Sequence, residues 1–340
     1  MVKSRMAMVH KAGTAELIER EVPKPASTEV LIAIRATSVC GGDLHIYKGK
    51  HPSAPLPMSL GHELSGEVIE AGKGVTTVRI GDRVTVEPVI VCGDCPPCRS
   101  GLYGYCDNLS YHYRKGQGAM ADYFVVDQRY VYKLPEHLSY EGGALIEPLA
   151  VAVHAVKRAK IGLGDKVVII GAGPIGILIA AVCKAAGARE IIIADISEAR
   201  LQMAAVMGAT RTVNSRNESV LDVVREVTGG RGIGKSFECA GREETFVQAI
   251  SCLCKGGTAT MVGIFEQPAI QIPASIFVAQ EITVQGSQGY CWDFDTALAL
   301  TSTLDLEKLV SHVFPLADVD KAMKAALDPN EKAVKIILKP

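Results

Sequence analysis

The sequence predicts an α/β protein of two domains, one β-rich and one built on a doubly wound parallel sheet. The chain has 340 residues, enough for two domains that each bury their own apolar surface. Up to about residue 131, short strand-like segments alternate with turns that contain Gly and Pro. Beyond Pro148, strands alternate with helices around a glycine-rich turn, which is the pattern of a parallel sheet covered by helices.

Four segments carry the strand pattern in the first part of the chain. They are residues 29–35, 66–70, 82–86 and 123–126. The loops between them are long, and long loops in a compact domain often carry function. We therefore expect functional residues in these loops.

The second part of the chain predicts a βαβ unit that continues in the same rhythm. Strands are expected at 166–170, 190–194, 210–213, 235–239, 258–262 and 281–285, and helices at 174–186, 198–207, 217–228 and 243–254. Six strands in this order suit a dinucleotide-binding sheet. The C-terminal residues that follow are too few for a third domain, so we expect them to pack on the first.

The composition favours a small-molecule ligand. The 36 Lys and Arg residues nearly balance the 37 Asp and Glu residues, so neither nucleic acid nor a membrane surface is favoured as a partner. The first residues lack the apolar segment of a signal peptide, so we expect the protein to stay in the reducing cytoplasm. The uncharged run at 167–183 contains three glycines and Pro174, and we interpret it as part of the sheet domain, not as a membrane span.

Gly171-Ala-Gly173-Pro174-Ile175-Gly176 matches the G-x-G-x-x-G pattern between a predicted strand and a predicted helix. The glycines permit a tight turn and let backbone N–H groups approach a pyrophosphate. Proline suits the first helical turn because it has no N–H to leave unpaired. The motif therefore predicts dinucleotide binding.

Asp195 ends the next predicted strand, about 20 residues beyond the glycine motif. Its carboxylate can accept hydrogen bonds from both ribose hydroxyls of NAD, whereas a 2′-phosphate would meet like-charge repulsion. We therefore predict NAD in preference to NADP. Arg200 is a candidate for contact with the adenine, or a solvated helix arginine.

A four-cysteine loop has the spacing C-x2-C-x2-C-x7-C. Four thiolates so close in sequence can surround one tetrahedral Zn²⁺ and leave no position for water, which is typical of a structural site. An iron–sulfur cluster uses the same ligands, but nothing else in the chain indicates one-electron chemistry. The predicted ligands are Cys92, Cys95, Cys98 and Cys106.

A second, open metal site is predicted from residues that are spread along the first domain. The candidates are Cys40, His62, Glu63 and Glu147, the last of which precedes Pro148 at the domain boundary. A catalytic zinc keeps about three protein ligands and one exchangeable position. Each residue alone has an ordinary structural explanation, but the set has the composition of a catalytic metal site.

Gly61-His62-Glu63, followed by Gly66, Gly72 and Val75, resembles the zinc-site signature of the zinc-containing medium-chain dehydrogenases. The resemblance covers essentially the whole chain, with the cysteine loop and the glycine motif in the same order. It implies a GroES-like catalytic domain formed by residues 1–149 and 287–340. It also implies a Rossmann NAD-binding domain, residues 150–286, inserted within it.

The resemblance further implies that Cys40, His62 and a carboxylate hold the catalytic zinc. In polyol-type members Glu147 is the third protein ligand or binds through water, and Glu63 can exchange with it. Asp43 would accept the other N–H of His62 and fix its tautomer.

One position departs from the family pattern. Gly42 stands where the family usually has Ser or Thr, so the hydroxyl that links the reacting alcohol to the proton relay is missing, while His45 of the relay is retained. Either a water molecule or the substrate's own second hydroxyl completes the path, or the proton leaves elsewhere. Glu147-Pro148-Leu-Ala and residues 286–290 are most similar to the sorbitol, threonine and 2,3-butanediol dehydrogenase branch.

These features together predict reversible, NAD-linked and zinc-dependent oxidation of a secondary alcohol, a polyol or vicinal diol, to the ketone. L-Threonine and a sugar phosphate are alternative substrates, and a non-enzymatic NAD-binding protein is an alternative function. A zinc hydrolase is disfavoured because H-E-x-x-H is absent. We expect a homodimer or homotetramer in which the strand at 281–286 pairs two nucleotide-binding domains.

Two further features have more than one interpretation. Lys48, Lys50, His51 and Arg114 lie in candidate loops, where they can bind a substrate phosphate or remain solvated surface charges. Trp292, the only tryptophan, is expected to pack in the core, and the alternative roles are a wall of the substrate pocket or a subunit contact.

Overall fold

The computed structural model describes residues 2–267 and 269–340. Met1 and Pro268 fall within the two predicted domains but outside this description. The chain divides into two compact units, Met1–Glu147 with Ala297–Pro340, and Pro148–Thr296.

The β-strands of the described residues are numbered in chain order. They are β1 (Val2–Lys11), β2 (Thr14–Val22), β3 (Glu29–Ser38), β4 (Met58–Ser59), β5 (Glu63–Ala71), β6 (Arg83–Val86), β7 (Val89–Ile90), β8 (Ser110–Tyr111), β9 (Tyr123–Asp127), β10 (Val131–Lys133), β11 (Lys166–Ile170), β12 (Glu190–Asp195), β13 (Arg211–Asn214), β14 (Ile233–Glu238), β15 (Leu253–Met261), β16 (Thr283–Gly286), β17 (Val310–Pro315) and β18 (Lys335–Lys339).

The α-helices are α1 (Gly41–Tyr47), α2 (Pro96–Arg99), α3 (Tyr140–Ala144), α4 (Ile146–Ala159), α5 (Pro174–Ala185), α6 (Glu198–Met207), α7 (Val220–Thr228), α8 (Glu243–Ser251), α9 (Ser275–Gln280), α10 (Phe294–Leu300) and α11 (Val319–Leu327). Short 3₁₀ helices lie at Tyr103–Tyr105, His112–Lys115, Gln128–Tyr130, Leu306–Leu309, Leu316–Asp318 and Pro329–Glu331.

The first unit is β-rich, as predicted. Its largest sheet has the order β10-β6-β5-β3-β18-β17, with β9 also paired to β3. The C-terminal strand β18 runs antiparallel to β3, so the end of the chain joins this unit. One face of the sheet buries Ile32, Leu64 and Phe124 completely. Burial on this scale provides most of the favourable free energy of folding.

The second unit is the predicted doubly wound sheet. All of its strands are parallel, in the order β13-β12-β11-β14-β15-β16. The order reverses between β11 and β14, and ligands bind outside the carboxyl ends of the strands at such a switch point. The uncharged run at 167–183 forms β11, the glycine turn and part of α5. No helix in the described ranges combines the length and hydropathy that crossing a membrane requires.

One helix and the strand after it differ in their bounds from the prediction. The helix predicted at 243–254 ends at Ser251, and the strand predicted at 258–262 already begins at Leu253. Within this strand Gly256 takes a φ of +71°, which glycine adopts without strain. The pair Glu147-Pro148 stands where the first unit ends and the second begins. It lies in the first turn of α4, where proline's missing N–H leaves no hydrogen bond unmade.

The segment that follows the last parallel strand belongs to the second unit as far as Thr296. Asp293 is buried there and accepts hydrogen bonds from His154 Nδ1 and Lys157 Nζ on α4, both at 2.8 Å. These contacts attach the segment to α4. Trp292 is 61% exposed, so the prediction that it packs in the core is wrong.

Candidate active site

Cys40, His62 and Glu63 come together in the first unit. Cys40 follows β3 and caps the N-terminus of α1, while His62 immediately precedes β5 and Glu63 begins it. One potential ligand atom from each residue lies within 4.8 Å of the other two. A thiol, an imidazole and a carboxylate gathered at this separation form the donor set of an open Zn²⁺ site.

Asp43 fixes the two chain segments that carry these ligands. Its Oδ2 accepts the backbone N–H of Cys40 at 3.0 Å, and its Oδ1 accepts that of Gly61 at 2.9 Å. The distance from Oδ1 to His62 Nδ1 is 3.9 Å, too long for the hydrogen bond that the sequence predicts. The buried His62 Nδ1 has no hydrogen-bond partner among the described residues. Asp43 therefore positions the ligands through the backbone.

Glu63 is paired with a lysine that the sequence analysis did not identify. Glu63 Oε2 lies 2.5 Å from Lys335 Nζ on β18 and also accepts a hydrogen bond from Ser38 Oγ. Lys335 Nζ donates to the carbonyl of Val39 at 3.0 Å as well. The side chains of Glu63 and Lys335 are only 1% and 3% exposed. The sequence contained one indication of a buried lysine. Lys335 is the one charged residue within the otherwise apolar run 333–338.

The ionisable groups of this centre shift one another's pKa values. Burial raises the pKa of the Cys40 thiol, against the effect of His62. Burial alone lowers the pKa of His62, but Cys40 and Asp43 raise it well above its ordinary value. In the same way, Glu63 and Cys40 overcome burial and raise the pKa of Lys335. These directions favour the thiol of Cys40 and the imidazolium of His62 in the metal-free protein, so binding of a divalent cation at this donor set releases protons.

Glu147 lies outside the compact group of three but near it. It is buried, at 5% exposure, in the first turn of α4. Its charge helps to raise the pKa values of both His62 and Lys335, so it lies within electrostatic range of the centre. Of the two candidate carboxylates, Glu63 is the one that the apo geometry brings to Cys40 and His62.

Position 42 adjoins both ligands. A Cβ at Gly42 would lie 3.8 Å from Cys40 Sγ and 4.0 Å from His62 Cε1, which are ordinary contacts. A serine hydroxyl would therefore fit beside the metal ligands, and the native chain has none there. His45 lies on the same helix, α1, in its last turn.

The cysteine loop gathers its four thiols as predicted. One sulfur from each of Cys92, Cys95, Cys98 and Cys106 lies within 4.8 Å of the others. The Sγ atoms of Cys92 and Cys106 are 3.5 Å apart, too far for a disulfide. Backbone N–H groups of Asp94 and Cys95 lower the pKa of Cys92 to about 6, so a thiolate is accessible at neutral pH. The set fits a closed, structural Zn²⁺ site.

The glycine motif forms the turn between β11 and α5. Gly171 takes a φ of +106°, and a Cβ at Gly176 would lie 1.9 Å from the carbonyl oxygen of Gly171, so only glycine fits there. Gly173 differs, because a Cβ there would meet nothing within 4 Å. It is the N-cap of α5, and no side chain caps this helix. Open space at an uncapped helix N-terminus fits a pyrophosphate.

The two residues predicted to bind the nucleoside part lie on β12 and α6. Asp195 ends β12, and its Oδ2 accepts the N–H of Ala172 in the glycine turn at 2.7 Å, while Oδ1 accepts that of Ser197 at 2.8 Å. The carboxylate therefore lies beside the turn. Arg200 is half-buried on α6, and no acidic group of residues 2–267 or 269–340 pairs with it.

Comparisons with known proteins identify the family of this chain. Residues 26–136 match the alcohol dehydrogenase GroES-like domain, and residues 174–303 match the zinc-binding dehydrogenase domain. A sorbitol dehydrogenase of Halalkalibacterium halodurans is 35% identical over 345 residues, covering 100% of this chain and 99% of its own.

Two further relatives match over nearly the full length. A D-arabitol-phosphate dehydrogenase of Enterococcus avium is 32% identical, covering 95% of this chain and 94% of its own. The crystal structure of 2R,3R-butanediol dehydrogenase from Bacillus subtilis is similar with a TM-score of 0.89 at 33% identity, over 99% of both chains.

Gly173→Ala tests the glycine turn. The new methyl group meets no protein atom but occupies the space at the helix N-terminus, so we expect NADH affinity to fall about tenfold or more without loss of thermal stability. Gly176→Ala is the contrasting variant, because its methyl group collides with the Gly171 carbonyl and should lower the melting temperature. NADH titration calorimetry and thermal denaturation measure the two effects. Unchanged NADH affinity in Gly173→Ala would place the pyrophosphate elsewhere.

Lys335→Met tests the buried ion pair. It leaves Glu63 charged without its partner, so the metal-free first unit should lose about 3–5 kcal/mol of unfolding free energy. Hydrogen exchange of β3 and β5 during urea titration measures this loss. The double variant Lys335→Met, Glu63→Gln carries neither charge and should recover most of the stability. Equal losses in the single and double variants would assign the effect to packing of the lysine stem.

Proposed function

The chain belongs to the zinc-binding alcohol dehydrogenase family of oxidoreductases acting on CH–OH donors, and on that premise we propose that it catalyses the reversible, NAD-linked oxidation of a polyol or vicinal diol to a ketone. The observation that carries the proposal is the group formed by Cys40, His62 and Glu63, in the same chain as the glycine turn that ends at an open helix N-terminus. The similarity to sorbitol and 2R,3R-butanediol dehydrogenases supports the substrate class.

We assign the zinc ligands as follows. Cys40, His62 and a carboxylate, Glu63 or Glu147, hold the catalytic zinc, and Cys92, Cys95, Cys98 and Cys106 hold the structural zinc. When bound, the catalytic zinc supplies Lewis acidity toward the alcohol oxygen, and NAD accepts the hydride. Asp43 and Lys335 position the first set of ligands, one through the backbone and the other through Glu63.

Residues of the second unit are assigned to binding NAD and to excluding NADP. The glycine turn and the N-terminus of α5 receive the pyrophosphate, and Arg200 is assigned to the adenine side. Asp195 carries a negative charge at the end of β12, where it accepts hydrogen bonds from ribose hydroxyls and repels a 2′-phosphate. This charge supports NAD in preference to NADP.

The proton of the alcohol needs a route that avoids position 42. Because Gly42 has no side chain, His45 must receive the proton through water or through a second hydroxyl of the substrate. A vicinal diol or polyol brings that hydroxyl with it. The missing side chain therefore favours this substrate class over simple alcohols.

We also propose the organisation of the protein in the cell. The first compact unit corresponds to the GroES-like catalytic domain, predicted at residues 1–149 and 287–340, and the second unit corresponds to the Rossmann domain, predicted at residues 150–286. The protein is a cytoplasmic homodimer or homotetramer, in which β16 pairs two nucleotide-binding domains. This strand lies at the edge of its sheet, and an open edge is a ready site for pairing.

His62→Ala tests the metal assignment. We expect loss of polyol-dependent NADH formation, retention of NADH binding, and a fall in zinc content from about two ions per chain to about one. His10→Ala, at an exposed position of β1, is the matched control and should change neither. Absorbance of NADH across a panel of polyols and diols, with elemental analysis, provides the measurements. Unchanged turnover in His62→Ala would refute the proposed function.

Gly42→Ser tests the proton route. The serine hydroxyl fits beside Cys40 and His62 without steric conflict, so we expect kcat at neutral pH to rise about tenfold or more for an alcohol with a single hydroxyl. The gain should be smaller for a polyol, which already supplies a hydroxyl. Gly41→Ser is the control, because its exposed side chain points into open space. Equal kcat for Gly42→Ser and the native enzyme on both substrates would show that the proton leaves elsewhere.

A further inference from the structure

Arg114 lies close to the candidate metal centre and is not explained by the proposed chemistry. It belongs to the 3₁₀ helix His112–Lys115. The preceding residue, Tyr113, is buried, and its ring centroid lies 5.5 Å from that of His62. Ser59 on β4 fixes this segment, because its hydroxyl donates to the carbonyl of Tyr113 at 2.7 Å. The guanidinium is therefore one residue removed from a side chain in contact with a metal ligand.

The contacts of Arg114 hold its planar group in one orientation. Nη2 donates to Ser53 Oγ at 2.8 Å, and Nε donates to the hydroxyl of Tyr113 at 3.3 Å. The guanidinium carbon lies 5.5 Å from the ring centroid of Tyr111 and 5.7 Å from that of Tyr113. An arginine stacked on aromatic rings loses little further entropy when it binds a ligand.

None of these contacts neutralises the charge. Within residues 2–267 and 269–340, no carboxylate lies within ion-pair distance of Arg114, and Nη1 takes part in none of its hydrogen bonds. The planar fork of a guanidinium matches the geometry of a carboxylate or a phosphate. The half-buried Arg114 is oriented for an anion that the chain itself does not supply.

Two ionisable groups around Arg114 are uncharged at neutral pH and leave its charge uncompensated. Burial, together with the charges of Arg114, His45 and His62, lowers the pKa of His51 to about 4, so His51 is neutral at pH 7. Burial and the charge of Glu147 raise the pKa of Tyr111 to about 12, so its hydroxyl stays protonated.

We propose that Arg114, oriented by Ser53 and the two tyrosines, binds an anionic group of the substrate whose reacting hydroxyl lies at the Cys40, His62 and Glu63 centre. This inference rests on the proposed function and refines its substrate class. The substrate is a polyol that carries a phosphate or a carboxylate, and Arg114 distinguishes it from a neutral polyol. Phosphate and carboxylate share the planar, bidentate recognition that a guanidinium offers.

The test compares matched neutral and anionic substrates on the zinc-loaded full-length protein. D-Sorbitol is the neutral compound, D-sorbitol 6-phosphate carries the phosphate, and D-gluconate carries the carboxylate. We expect kcat/KM for at least one anionic compound to exceed that for sorbitol at least tenfold. Arg114→Met should lower kcat/KM for that compound about 20- to 100-fold, mainly through KM, and change that for sorbitol less than about twofold.

Three further variants make the result specific. Arg114→Lys keeps the charge but loses the fork and should fall between the native enzyme and Arg114→Met. Ser53→Ala removes the hydroxyl that orients Nη2 and should weaken only the anionic compound. Arg79→Met removes one exposed positive charge of the same unit and is the control for general electrostatic attraction, so it should leave the preference unchanged.

Binding of the three compounds is also measured by titration calorimetry, which does not depend on turnover. Equal affinity for neutral and anionic compounds, or equal losses for both in Arg114→Met, would overturn the inference and leave the proposed function intact. Anion-selective binding that Arg114→Met removes, in a protein that oxidises no polyol, would support the inference as an anion site and reject the proposed function instead. A preference for phosphate over carboxylate, or the reverse, identifies which anion the site accepts.

Discussion

The buried ion pair between Glu63 and Lys335 is the interaction on which the metal centre depends. A single charge at either position would be almost completely removed from water, at a cost of several kcal/mol, so the two must meet. Their meeting fixes the sheet around Ser38, which pairs with Glu63 of β5 on one side and with Ile337 of β18 on the other. Lys335 also binds the carbonyl of Val39. The last strand of the chain therefore fixes the backbone immediately before Cys40.

Asp43 performs the complementary task on the other side of the ligands. Its two oxygens bind the backbone of Cys40 and of Gly61, so a single buried carboxylate joins the start of α1 to the residue before His62. Neither Asp43 nor Lys335 needs to touch the metal to determine its geometry. Ligands fixed through their backbone and through a buried pair are preorganised, which reduces the reorganisation that metal binding requires.

The sequence was most informative where function depends on residues close together in the chain. The four-cysteine loop and the glycine turn are local, and so are the alternating strands and helices of the second unit. Their chemistry follows from spacing alone. The pairing of Lys335 with Glu63 could not be predicted, because the two residues are far apart in the sequence and only the fold brings them together. Glu147 lies at the predicted junction, since the first unit ends there, but its position in the first turn of α4 was not predicted.

Gly42 and Arg114 both affect which substrate the candidate centre can accept. Gly42 removes a hydroxyl from the region next to the metal ligands, whereas Arg114 provides an uncompensated positive charge next to Tyr113, which contacts His62. A simple alcohol makes use of neither feature. A polyhydroxylated anion uses both, because its second hydroxyl replaces the missing side chain and its charged group pairs with the guanidinium. Under the proposed function, the absence of a hydroxyl at position 42 and the fixed positive charge of Arg114 both match a single kind of substrate, a polyhydroxylated anion.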